Sequence, residues 1–212
     1  MNVSSEEKTW GNPTPAVTLF FAVLVIMFWA MMLGYLKPEA ALLLGVIQLM
    51  LFAPWLVGAI VILKSGDAIG GTLFLYFSAF FAGCSGAINV VGYFAQVYNW
   101  PLDPRIAGYL WLFAAVMLLP ALVTYRNAGW IFWTLVLFAD IGLFLFAFVV
   151  LGIGPVVTMN KVAAWFFFVV AIEGLYMAAA SYAALAGVPM YFGRSLFAHT
   201  KAPSVTEISR DA

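Results

Sequence analysis

Six runs of mostly apolar residues, joined by short polar breaks, decide what this chain can become. Each approaches the roughly 20 helical residues that cross a hydrocarbon layer about 30 Å thick. Lipid offers no partner to an open backbone, so segments of this length close their hydrogen bonds internally as helices. The runs predict spans at 15–36, 40–63, 71–97, 106–125, 128–151 and 161–187. Composition points the same way. With 66% apolar residues, 8% charged residues and a mean hydropathy of +1.06, the chain carries more apolar surface than a soluble core could bury. The expected fold is an all-α integral membrane protein of the plasma or inner membrane. A polar segment, 1–14, precedes one six-helix transmembrane domain, 15–187, and a mobile polar tail follows at 188–212.

The breaks carry helix-ending chemistry. Asn12-Pro13-Thr14-Pro15 opens the first span, where Thr14 can cap free amides and Pro15 suits the first helical position. Later breaks fall at Lys37-Pro38, at Ser65-Gly66-Asp67, over 99–105, at Arg126-Asn127 and at Gly154-Pro155. Counting cations on alternate sides sets Lys8, Lys64, Arg126, Arg194, Lys201 and Arg210 against Lys37, Arg105 and Lys161, which predicts both termini on the cytoplasmic side. Trp10, Trp100, Trp130, Trp133 and Trp165 fall near predicted span ends, where amphipathic rings settle.

Several function classes drop out. One cysteine, Cys84, and one histidine, His199, supply neither a disulfide framework nor a metal site, and no cofactor is expected. Zero formal net charge without a run of Lys or Arg gives no footprint for nucleic acid. The polar, acidic opening with Glu6 and Glu7 does not read as a signal peptide. No catalytic residue is assigned, because paired His or a Cys/His couple is missing; the expectation is that this is not an enzyme.

Function in such a chain is sought where polar groups sit at membrane depth, since each is costly unless it faces protein or water. Asp140 and Glu173 lie mid-span in the fifth and sixth helices, with no Lys or Arg at their depth. Desolvation there favours the neutral acid, which makes both candidates for reversible proton binding. In the third span, Ser78, Ser85 and Asn89 fall within about 40° of one another on an α-helical wheel. They form a polar stripe beside the small residues Ser78, Ala82 and Gly86, whose four-residue spacing lets helices approach closely. The stripe reads as close packing or as a pore lining. Pro54 and Pro120 interrupt the second and fourth spans and predict kinks.

The Asn12-Pro13-x-Pro15 tetrapeptide, the stretch Gly66-Asp67-Ala68-Ile69-Gly70-Gly71-Thr72-Leu73-Phe74 and Phe192-Gly193-Arg194 resemble the acetate and succinate uptake proteins, the succinate-acetate permease group. Departures occur after Pro15, where Ala16 and Val17 replace the family's pattern. The resemblance implies a channel or proton-coupled carrier for small monocarboxylates such as acetate, and a homo-oligomer, a hexamer with one pore per protomer. It also implies an entrance shaped by Asn12, Pro13 and Pro15 and a hydrophobic constriction of Phe, Tyr and Leu. On this chain the constriction falls at Phe21, Phe77 and close to Phe138, three phenyl rings. The partners expected are a small carboxylate and membrane lipid. Two other readings stand beside this one: a neutral small-solute channel of the urea and amide type, and a non-conducting accessory subunit of a membrane assembly.

Overall fold

The computed structural model describes residues 11–197 and contains six helices long and apolar enough to cross a membrane. They are α1 (Thr14–Met32), α2 (Ala40–Lys64), α3 (Ala68–Tyr98), α4 (Arg105–Thr124), α5 (Trp130–Leu151) and α6 (Val156–Leu185). The chain is an all-α integral membrane protein. Residues 1–10, with Glu6, Glu7, Lys8 and Trp10, lie outside the described residues, as do 198–212 with His199, Lys201 and Arg210.

Helix ends follow local chemistry. The Asn12 carboxamide oxygen accepts the Thr14 amide at 2.9 Å, so Asn12 rather than Thr14 caps α1 and the helix starts one residue early. Asp67 accepts the Gly70 amide at 2.8 Å, which starts α3 three residues before the expected position 71. Pro155 precedes the first residue of α6, five residues before the expected 161, because Lys161 is tolerated within the opening turns. Trp165 therefore lies more than two turns inside α6, not at its end. α1 stops at Met32, where Leu33 and the left-handed Gly34 turn the chain, and the Asn160 amide of α6 donates to the Met32 carbonyl at 2.9 Å.

Each helix packs on its chain neighbours, and α6 returns to pack on α1, so the six close into a ring in chain order. The α2–α3 seam is the most extensive, followed by α1–α6, and the α3–α4 seam is the slightest. One rim, the upper, holds the start of α1, the α2–α3 and α4–α5 turns and the end of α6; the lower rim holds the other connections. Residues 188–197 do not leave the upper rim as a free tail. The Trp130 amide donates to the Arg194 carbonyl at 3.1 Å, Ser195 Oγ donates to the Arg126 carbonyl at 3.1 Å, and the Tyr176 hydroxyl donates to the Tyr191 carbonyl. Gly129 makes this docking possible, since a Cβ there would collide with the Phe192 carbonyl.

Helices in lipid gain little from apolar contact as such and associate through close packing and interhelical hydrogen bonds. The α2–α3 seam uses both. A Cβ on Gly86 would lie 2.9 Å from the Gly45 carbonyl oxygen, and one on Gly45 would lie 2.8 Å from that of Gly86. Within α3, Ala68–Tyr76 and Ser85–Tyr98 are α-helical, while Phe77–Cys84 winds as a π-helix. Such wide turns are rare and concentrate at functional sites. This one carries Phe77 and Phe81 into the ring.

Candidate permeation pathway

The interior of the ring is a column of aromatic rings with a cavity at each end. The upper vestibule, about 290 Å³, is walled by Thr14 and Thr18 of α1, the α3 start at Asp67, Tyr125, Leu135 of α5 and Phe192 of the docked segment. Burial, and to a lesser degree the Asp67 carboxylate, push the Tyr125 ionisation up, so its phenol stays protonated. Phe21 and Phe77 form the floor of this vestibule, stacked at 4.7 Å with planes 18° apart. Trp55 of α2, fully buried, backs the pair at 6.4 and 6.1 Å, and its indole N–H has no protein partner.

Below the pair, Phe81 sits edge-on to Phe77 at 5.5 Å and against Trp111 of α4 at 5.4 Å. Trp111 in turn meets Phe28 of α1 at 6.0 Å and Phe146 of α5 at 5.7 Å, and these rings close the lower vestibule of about 400 Å³. Between the two aromatic groups lies an enclosed cell of about 10 Å³, lined by Gln48, Ser85 and Phe81 among others.

Gln48 organises that cell. It is 3% exposed, and its amide nitrogen donates to the Phe81 carbonyl at 2.8 Å and to Ser85 Oγ at 2.9 Å. Its carbonyl oxygen accepts from Asn89 Nδ2 at 2.7 Å. Both amide hydrogens of Gln48 are thereby spent, whereas the Ser85 hydroxyl hydrogen and the second Asn89 amide hydrogen remain for the lower vestibule, which both residues line. Two donors one helical turn apart can both serve a carboxyl group, whose carbonyl oxygen accepts two hydrogen bonds. Among the described residues, no Lys or Arg lines the cell or either vestibule.

The polar stripe of α3 therefore faces α2. Ser78, fully buried, donates to the Phe52 carbonyl at 3.1 Å and belongs to the seam, while Ser85 and Asn89 belong to both seam and cavity. Asn12 and Pro15 line an outer groove between α1 and α6, and Pro13 lies against Gly58 of α2. Phe138 does not join Phe21 and Phe77. It pairs with Phe166 of α6 at 5.5 Å, and Leu135, one turn earlier, takes the place beside the stacked rings. Thr134 and Asp140 apart, α5 is apolar all round, so its apolar residues carry no sign of which of them turn toward the stacked rings.

The two membrane-depth acids stand apart from the column. Asp140 is 4% exposed, and its Oδ1 has no hydrogen-bond partner. Glu173 contacts Thr134 Oγ1 at 2.8 Å, and its Oε2 is buried without a partner. The Thr134 hydroxyl also lies 2.8 Å from the Trp130 carbonyl and 3.1 Å from that of Ile131, and its single hydrogen is shared among the three acceptors. Neither acid lines the cell or a vestibule.

No protein-family model and no curated protein sequence matches the chain. Among solved structures it is similar to one described as the bacterial acetate channel SatP, with a TM-score of 0.73 over 86% of this chain and 99% of that one, at 13% identity. This chain has the fold of SatP. The likeness runs through almost the whole of SatP, so the closed six-helix ring is a shared architecture rather than a local coincidence of helices. At this identity it carries no single side chain across, and the column of rings and the Gln48 cell rest on this chain's own contacts.

Residues missed by sequence reasoning are Gln48, Phe28, Phe81, Trp111, Leu135 and Phe146. Gln48 had a readable signal, being the one carboxamide within the apolar second run. The rings had none, because 20 Phe and 8 Trp in this chain make aromatic residues uninformative by type.

Proposed function

We propose that this protein is a membrane channel or proton-coupled transporter for small monocarboxylates, with acetate as the reference substrate. The observation that carries the reading is the axial arrangement. Two vestibules face each other across a short aromatic column, whose polar station, Gln48 with Ser85 and Asn89, offers unspent donors to a carboxyl group. The fold shared with an acetate channel supports it. Because no cation among the described residues lines the path, an anion meets a steep desolvation cost among the rings, which favours passage as the neutral acid. Asp140 and Glu173 serve in this reading as reversible proton sites that couple flux to pH, and Asn12, Pro13 and Pro15 shape the outer edge of the upper mouth. Cytoplasmic termini, succinate as a further substrate and assembly into a hexamer accompany it.

Uptake of labelled acetate and labelled urea into liposomes, at acidic and neutral pH, tests the proposal. Saturable acetate uptake that rises on acidification, with urea excluded, is expected. Urea uptake without acetate uptake would replace it with the neutral-solute reading, which the amides of Gln48 and Asn89 and the cation-free lining favour. No uptake of either, with another membrane complex co-purifying stoichiometrically, would point to the accessory role.

A further inference from the structure

We propose that Trp111 is the core of a second gate, so that the passage is closed by two partitions in series with the Gln48 cell held between them. Phe28, Ser85 and Trp111 face both the cell and the lower vestibule, and are therefore the wall between the two. Phe21 and Phe77 face the upper vestibule, while Phe81, in ring contact with both, faces the cell. The upper partition hangs on α1 and the π-helical part of α3. The rings of the lower one hang on α1, α4 and α5, beside Ser85 of α3, and meet those of the upper through Phe81.

A cell of about 10 Å³ is at the lower limit for a single water molecule, too small for any carboxylic acid. A solute reaches Gln48 only when a partition swings aside. Each partition has room to do so on its own side, the stacked phenyls into 290 Å³ above and the indole into 400 Å³ below. The α3–α4 seam, the slightest in the ring, is where Trp111 parts from Phe81 with least loss of packing. With both closed the solute is occluded; with one open it is bound from one side. That arrangement sorts the protein with carriers that alternate access rather than with an open conduit. Only the identity of the occluded solute rests on the carboxylate reading; the two partitions do not.

The test places a cysteine at Gln48 (Gln48→Cys) in a Cys84→Ala background, in membrane vesicles of both orientations, and follows labelling by a membrane-impermeant methanethiosulfonate. With both partitions intact, labelling from either side is expected to be slow, since it waits for a partition to swing aside. Trp111→Ala added to this background should speed labelling from the lower-vestibule side alone, and Phe77→Ala from the upper side alone. The two together should speed labelling from both sides. Phe28→Ala opens the same partition as Trp111→Ala and repeats the lower-side result if the tryptophan variant fails to fold. Labelling speeded from both sides on opening either partition, or as fast with both intact as with one removed, overturns the proposal. Sided labelling in vesicles that take up no acetate would leave the two partitions standing and overturn the carboxylate reading instead.

Discussion

Gln48 joins two carbonyl or hydroxyl acceptors and one amide donor across the α2–α3 seam, so its removal is felt twice. Gln48→Leu keeps the volume but leaves the Phe81 carbonyl and the Asn89 amide without this partner. The expected result is a loss of about 1–3 kcal/mol in stability, read by thermal unfolding in detergent, with acetate uptake reduced more than folded protein. Asp140→Asn, if that acid carries the proton, removes the rise of uptake on acidification beyond what the supply of neutral acid produces. An Asn variant with both flux and pH dependence intact would end the carrier role of Asp140. These acids were legible because a charge at membrane depth is conspicuous in any apolar run. Gln48 was open to the same rule but carries no charge to draw attention. Phe138 was misjudged for a different reason: the apolar residues around it on α5 differ only in direction, and direction is a property of the packed ring.

At the level of elements, helix existence was readable and helix phase was not. Length and punctuation located all six helices to within a few residues, because bilayer thickness and Pro, Gly and Asp at the breaks act locally. The π-helical turn at Phe77–Cys84 has no such marker, and it changes the phase on which the α-helical wheel for Ser78, Ser85 and Asn89 was drawn. The stripe remains a coherent face nonetheless, zipped to Phe52 and Gln48 of α2. Close backbone approach at Gly45 and Gly86 sets that seam. Gly86→Ala is expected to cost about 1–3 kcal/mol, since its Cβ meets main-chain oxygen that cannot yield. Gly92→Ala, on the same helix with nothing within 4 Å of its Cβ, should leave the melting temperature unchanged or raise it.

For the molecule as a whole, the ring in chain order turns six ordinary spans into a wall around an axis, and the axis is plugged by rings that have space beside them to move. The central claim is that solute follows this axis past Ser85, where the lower vestibule meets the Gln48 cell. Acetate uptake by Ser85→Cys in a Cys84→Ala background, before and after thiol modification from the lower-vestibule side, tests it most directly. The expected result is that modification abolishes uptake and that saturating acetate slows the modification. Undiminished acetate uptake by fully modified protein would contradict the pathway.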